Sequence, residues 1–327
     1  MTIDIHAHHH PLAYLDALAP LVGRELRGRW TGREDTDEAA SVARRIEMMD
    51  QAGVAIQVLS PMAGLAPYGA DPTAAARAAS MVNDAYAELV AAQPERFLAF
   101  ASLPLPHMDA SLEELERAYD ELGVVGVNLH ISVLDRSVAE DEFVPLYEEL
   151  DRRRAVVFYH PCGNSICSPM IADYGLAAAV GTSLEDATIG LHLIAKRLPA
   201  RFPGITFVIP HFGGPLPMLL PRLDNQFGAA SNDLPEPPSV TARRFYYDTV
   251  GHGSAAALAC AHAAFGADHL VCGSDYPVLN RYETYDQTIN WIGEAGLPEA
   301  DVEQILVRTG RSILGLSGSE TGTTGSG

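Results

Sequence analysis

The chain has 327 residues, 47% hydrophobic and 20% charged, which excludes whole-chain disorder and suits one α/β barrel of about 250 residues plus insertions. A formal net charge of −20 works against nucleic-acid and anionic-lipid partners, and no apolar run of about 18 residues is present to span a membrane. The four cysteines (Cys162, Cys167, Cys260, Cys272) form no CxxC pair and the N-terminus carries no leader pattern, so reduced thiols and a cytoplasmic location are expected.

Eight short β-rich runs follow in chain order. They are residues 2–6, 54–60 (VAIQVLS), 97–103 (FLAFASL), 124–130 (VVGVNLH), 155–160 (AVVFYH), 205–211 (ITFVIPH), 245–250 (FYYDTV) and 270–275 (LVCGSD). Most are nearly continuous apolar runs, the mark of strands buried on both faces of a parallel sheet. Amphipathic stretches of helical period separate them, at residues 38–51, 72–92, 111–122 and 143–153 among others. Alternating strand and helix predicts βαβ units, and eight strands fit a closed (β/α)8 TIM barrel better than an open sheet. Two long segments, 9–36 and 161–180, read as insertions after the first and fifth strands, at the barrel end that carries active sites. We therefore expect one barrel domain over 1–316 and a disordered Gly/Ser/Thr tail over 317–327.

Metal-competent side chains stand at several of these strand ends. The first strand runs Asp4-Ile5-His6-Ala7-His8, and strict alternation points His6 and His8 the same way. On that alternation Asp4 and His10 share one direction, and Ile3 and Ile5 face the helices. Asp4, deeper in the strand, is then placed to accept a ligand histidine's second N–H. The fifth run ends at His160, the sixth at His211 and the eighth at Asp275. Each has a bland reading alone: a chance His-x-His, a satisfied core histidine, an aspartate capping a turn. Their joint appearance at the ends of otherwise apolar strands favours one site. Three histidines and a carboxylate suit Zn²⁺ first and Mn²⁺ second. His8 with His10 is the alternative chelating pair. Cys162 and Cys167 read as pocket lining rather than ligands.

DIHAHHHP, FYHPCG, IPHFGGPLPMLLPRLDN and CGSDYP, with the helix sequence Arg45–Val54 (RIEMMDQAGV), resemble the aminocarboxymuconate-semialdehyde decarboxylase family of the amidohydrolase superfamily, in order and over essentially the whole barrel. The resemblance implies a divalent metal on His6, His8, His160 and Asp275, and an acid/base role for His211 beside it. It also implies that Arg222 binds a substrate carboxylate, in some members across a homodimer contact; a surface ion pair is the other reading of that arginine. Two-metal relatives carry a lysine at the end of strand four, whereas this chain reads Gly126-Val127-Asn128-Leu129-His130, which argues for one metal. His252, after the seventh strand, stands open between a substrate contact and an ordinary loop residue.

These readings predict a metal-dependent non-oxidative decarboxylase of a small aromatic or muconate-like carboxylic acid, with His211 and Asp275 as catalytic residues and Arg222 and His252 binding substrate. One alternative is a hydrolase or hydratase of a lactone, amide or unsaturated acid that uses the same metal. The other is a catalytically silent metal-binding barrel.

Overall fold

Apolar runs of this length pair with one another because each buries both faces only inside a sheet that is itself covered by helices. In the computed structural model, which describes residues 1–30, 35–62, 64–69, 71–228 and 234–316, eight such runs pair in parallel in chain order. They are β1 (Thr2–His8), β2 (Val54–Ser60), β3 (Phe97–Ala101), β4 (Gly126–His130), β5 (Val156–His160), β6 (Thr206–Ile209), β7 (Tyr246–Asp248) and β8 (Leu270–Val271). The chain just beyond β8 closes the ring on β1. Ile5 N–H donates to the Cys272 carbonyl at 2.9 Å, Asp275 N–H to that of His6 at 2.8 Å and His8 N–H to that of Tyr276 at 2.7 Å. The result is a (β/α)8 barrel. The predicted tail, 317–327, lies outside the described residues, as does 31–34 of the segment after β1.

The main helices are α1 (Leu12–Val22), α2 (Ala39–Ala52), α3 (Pro72–Ala92), α4 (Met108–Asp120), α5 (Val144–Arg153), α6 (Thr182–Ala195), α7 (Leu216–Leu223), α8 (Ala255–Phe265) and α9 (Tyr285–Glu294). Local chemistry sets their ends. The Asp71 side chain caps α3 by accepting from Ala74 N–H, and Pro72 occupies the first turn, where its missing donor does no harm. A short antiparallel hairpin, Ser132–Val133 with Arg136–Ser137, follows β4, and helical turns fill much of 161–181. No helix among the described residues is long and apolar enough to cross a membrane.

Strand residues divide between two apolar compartments. Val127, Leu129, Val157, Tyr159, Phe207 and Ile209 pack against the helices. Ile3, Ile5, Val58, Phe100, Val156, Phe158, Val208 and Val271 fill the barrel's lumen with Leu314 from the last helical segment. This corrects the expectation for β1: Ile3 and Ile5 face the lumen, and Asp4 faces the helix layer. The pairing of β1 with β2 slips between Asp4 and Ala7, and a slip of this kind puts neighbouring residues on one side of the sheet. His6 can therefore turn into the lumen directly above Ile5.

Asp4 has its own partners in the helix layer. It accepts from Ser274 Oγ (2.6 Å), Tyr285 Oη (2.9 Å) and Gln57 Nε2 (3.1 Å). Gln57 in turn accepts from Arg45 Nε at 2.7 Å, and the fully buried Arg45 guanidinium donates to the His8 carbonyl at 2.8 Å while lying over the Tyr276 ring. This polar layer fixes the backbone of β1 and of the turn after β8 from behind.

Candidate metal centre

The strand ends bring His6, His8, His160 and Asp275 together, with one ligand atom from each lying within 4.8 Å of all the others. All four residues are buried. His8 Nε2 lies 2.9 Å from Asp275 Oδ1, His6 Nε2 lies 3.4 Å from the same oxygen, and the Nε2 atoms of His8 and His160 are 3.2 Å apart. The backbone is shaped to allow this approach. Asp275 sits at φ +53°, a left-handed conformation that aspartate tolerates better than most residues. Gly273 passes so close to its neighbours that a Cβ there would stand 2.9 Å from His6 Cβ and 3.0 Å from Asp248 Cβ.

Each imidazole turns Nδ1 outward and Nε2 inward. His6 Nδ1 donates to Asp248 Oδ2 at 2.7 Å, His160 Nδ1 to the Pro161 carbonyl at 2.8 Å, and His8 Nδ1 faces the Ser60 carbonyl at 3.3 Å. With Nδ1 carrying the proton, Nε2 keeps a lone pair for an ion. His6 Nε2 is buried with no hydrogen-bond partner, an arrangement that a cation satisfies and that is otherwise unfavourable. Burial lowers the pKa of His8 to about 4 and takes that of His160 well below its usual value, so both rings are in the neutral, ligating form near neutral pH. Burial alone would raise the pKa of Asp275, but His6, His211 and His8 hold it well below the normal carboxylate range. The donor set thus fits a divalent ion. Asp4, expected to support a ligand histidine, does not: Asp248 has that role, and Asp4 is committed to Ser274, Tyr285 and Gln57.

His211 stands beside this set without belonging to it. Its Nδ1 donates to Asp186 Oδ2 at 2.8 Å, its backbone N–H donates to Asp248 Oδ1 at 2.7 Å, and its Nε2 lies 3.8 Å from Asp275 Oδ2. His211 and Phe212 both have positive φ, +52° and +58°. The turn continues through Gly214, where a Cβ would fall 1.9 Å from the Ser183 carbonyl oxygen, so the β6–α7 turn can pack on α6 only with glycine there. Burial opposes protonation of His211, yet Asp186, Asp275 and Asp248 together raise its pKa well above the usual value. Burial raises that of Asp186 to about 6.

The remaining predicted residues fall elsewhere. His10 is bound to Asp35 at 3.0 Å. The side chain of His252 is 61% exposed, with Glu283 at 3.6 Å as a charged neighbour. Arg222 is exposed in the last turn of α7, and no hydrogen bond or ion pair links it to the cluster. Cys162 is tied to Ser132 in the loop after β5, where Glu185 accepts from the backbone N–H groups of Gly163 and Ser165. Two supporting carboxylates escaped the sequence reading. Asp248 was visible as a charge inside the apolar FYYDTV run, whereas Asp186 lies mid-helix and gave no comparable signal.

A protein-family model described as amidohydrolase matches residues 3–316. A gamma-resorcylate decarboxylase of Rhizobium sp. is 29% identical over 318 residues, covering 90% of this chain and 91% of its own. A 2-amino-3-carboxymuconate-6-semialdehyde decarboxylase of Dictyostelium discoideum is 29% identical over 277 residues, covering 83% and 76%. Among solved structures, a dihydroxybenzoic acid decarboxylase of Polaromonas sp. with bound manganese and the inhibitor 2-nitroresorcinol superposes with a TM-score of 0.81 at 26% identity, over 98% of both chains. With its barrel, its buried His/Asp cluster and a match over nearly its full length, this chain belongs to the amidohydrolase family and is an enzyme, a carboxy-lyase or a hydrolase.

Proposed function

We propose that the protein is a metal-dependent, non-oxidative decarboxylase of a small aromatic carboxylic acid. The observation that carries this reading is the pairing of a buried three-histidine, one-carboxylate cluster with a separately supported histidine, His211, aimed at the cluster's aspartate. The named activities of the similar proteins point the same way.

In this reading His6, His8, His160 and Asp275 hold one divalent ion, with Zn²⁺ and Mn²⁺ both compatible with the donors. When bound, that ion would supply a Lewis acid and a template for the substrate carboxylate and a neighbouring oxygen. The rest falls to side chains. Asp248 fixes the His6 ring. Asp186 holds His211 through Nδ1, which leaves the Nε2 end facing Asp275 and the substrate. Decarboxylation requires a proton at the ring carbon that bears the carboxylate; the C–C bond then breaks, its electron pair returns to the ring and CO₂ leaves. His211 and Asp275 are the groups placed to deliver and replace that proton. The exposed Arg222 enters only as an anion-binding group offered to a second copy of the chain.

The test is product analysis on enzyme of known metal content. CO₂ and the decarboxylated arene released in equal amounts from a hydroxybenzoate support the proposal. Water addition or ester and lactone cleavage with no CO₂ from any aromatic acid would move the chain to the hydrolase or hydratase reading.

A further inference from the structure

β4 ends beside β5 at the barrel mouth, and the two strands pair without a slip, Asn128 opposite Phe158 and His130 opposite His160. Phe158 lies in the lumen and His160 in the cluster, so Asn128 and His130 face the same interior. The His130 ring is 5.6 Å from that of His160 and 5.5 Å from that of Tyr68, centroid to centroid. Its backbone N–H donates to Tyr68 Oη at 3.1 Å, which pins the strand end but leaves the imidazole free.

His130 is 2% exposed, and its Nε2 is buried with no hydrogen-bond partner. One layer deeper, the Nδ2 of Asn128 is in the same state. The other imidazoles around the cluster each have a partner, His6 in Asp248, His8 in Asp275, His160 in Pro161 and His211 in Asp186, and the one other buried, unpartnered nitrogen among these rings, His6 Nε2, points into the cluster itself. Leaving a buried polar group without a partner is unfavourable, and such groups beside a reaction centre call for a ligand. Nothing in the proposed chemistry uses His130.

We infer that His130 is a specificity-determining residue whose ring hydrogen-bonds an oxygen substituent next to the carboxylate of the bound acid. The position follows from the neighbours. An acid whose carboxylate is gripped at the cluster projects its adjacent ring substituent past a bordering ligand, and His130 borders His160 on the β4 side. A hydroxyl both donates and accepts, so it pairs with either neutral tautomer of the ring. The inference rests on the aromatic-acid reading above and concerns which side chain reads the hydroxyl.

The experiment is calorimetric binding of benzoate, 2-hydroxybenzoate and 2,6-dihydroxybenzoate to Zn- or Mn-loaded wild type, His130→Phe and His130→Gln, with metal content measured on each. Wild type should prefer the hydroxylated acids over benzoate by about tenfold or more, the effect of one well-made hydrogen bond. His130→Phe keeps the ring shape and should lose that preference while retaining metal and benzoate affinity; His130→Gln should keep part of it. A preference undiminished in a metal-replete His130→Phe protein, or a wild type that binds benzoate as tightly as the hydroxy acids, would overturn the inference. A preference lost in His130→Phe alongside no CO₂ release from any of these acids would support the inference and count against the decarboxylase reading alone.

Discussion

The lower and upper halves of the barrel lumen are built by the same strands and obey opposite rules. Below, Ile3, Ile5, Phe100, Val156 and Phe158 satisfy one another by contact, and the space is closed by Leu314. Above, His6, His8 and His160 lie further along β1 and β5, joined by His130 at the end of β4 and Asp275 beyond β8; all are buried, and the Nε2 atoms of His6 and His130 have no hydrogen-bond partner. The lower half needs nothing further to be stable. The upper half, in the proposed reading, is completed by an ion and a substrate. The difference teaches that stability and chemistry can be separated along a single strand, at the distance of one side-chain repeat.

That separation can be broken in a definite order. Asp275→Asn removes a charge from the upper half and should reduce turnover by on the order of 10³-fold or more while the protein remains folded; CO₂ release and circular dichroism on the same sample check both halves of the statement. Phe158→Ala attacks the lower half, and its expected signature is a loss of about 3–5 kcal/mol in denaturant unfolding with a metal site that still fills in the surviving folded protein. Asp248→Asn leaves the ligands in place but removes the partner of His6, so metal affinity by competition with a chelator should fall by about 10- to 100-fold.

Acid provides a fourth probe. His8 and His130 have pKa values lowered by burial to about 4 and about 3, so the unfolded chain takes up protons on these rings that the fold refuses. Stability of the metal-free protein should therefore fall as pH drops below about 6.5, and His130→Phe should flatten part of that slope; an identical slope would count against His130 as a contributor. The smallest effect is assigned to His252→Ala, which should change turnover by less than about twofold, given the side chain's exposure and its loose contacts with Glu283 and Tyr282.

Much of this was legible before any coordinates. The barrel follows from apolar runs in regular alternation with helices, and the four residues of the cluster follow from polar ends on apolar strands. What was not legible depended on register and on distant packing. The face of Ile3, Asp4 and Ile5 was misread because alternation assumes an unbroken ladder, and the slip between Asp4 and Ala7 leaves no mark in composition. Strand ends were overestimated, as with 270–275 against the paired Leu270–Val271, since residues that turn toward the site leave the ladder while keeping a strand-like sequence. Asp186 could not be anticipated, because nothing local tells a helix position which loop histidine will land on it. His252 stood open in sequence between a substrate contact and a loop residue, and the fold leaves its side chain exposed, whereas Asp186, Asp248 and the tight β6–α7 turn hold His211.

The contact between His8 and Asp275 joins residues 267 positions apart. The His-x-His of β1 is made 267 residues ahead of its carboxylate, and at about 5–20 residues per second the delay is tens of seconds. Throughout that interval the emerging chain offers a chelating pair but no cage. Closing the β1–β8 seam is what brings Asp275 to His6 and His8, so under the proposed metal-dependent reading uptake of the ion would report that the ring has shut.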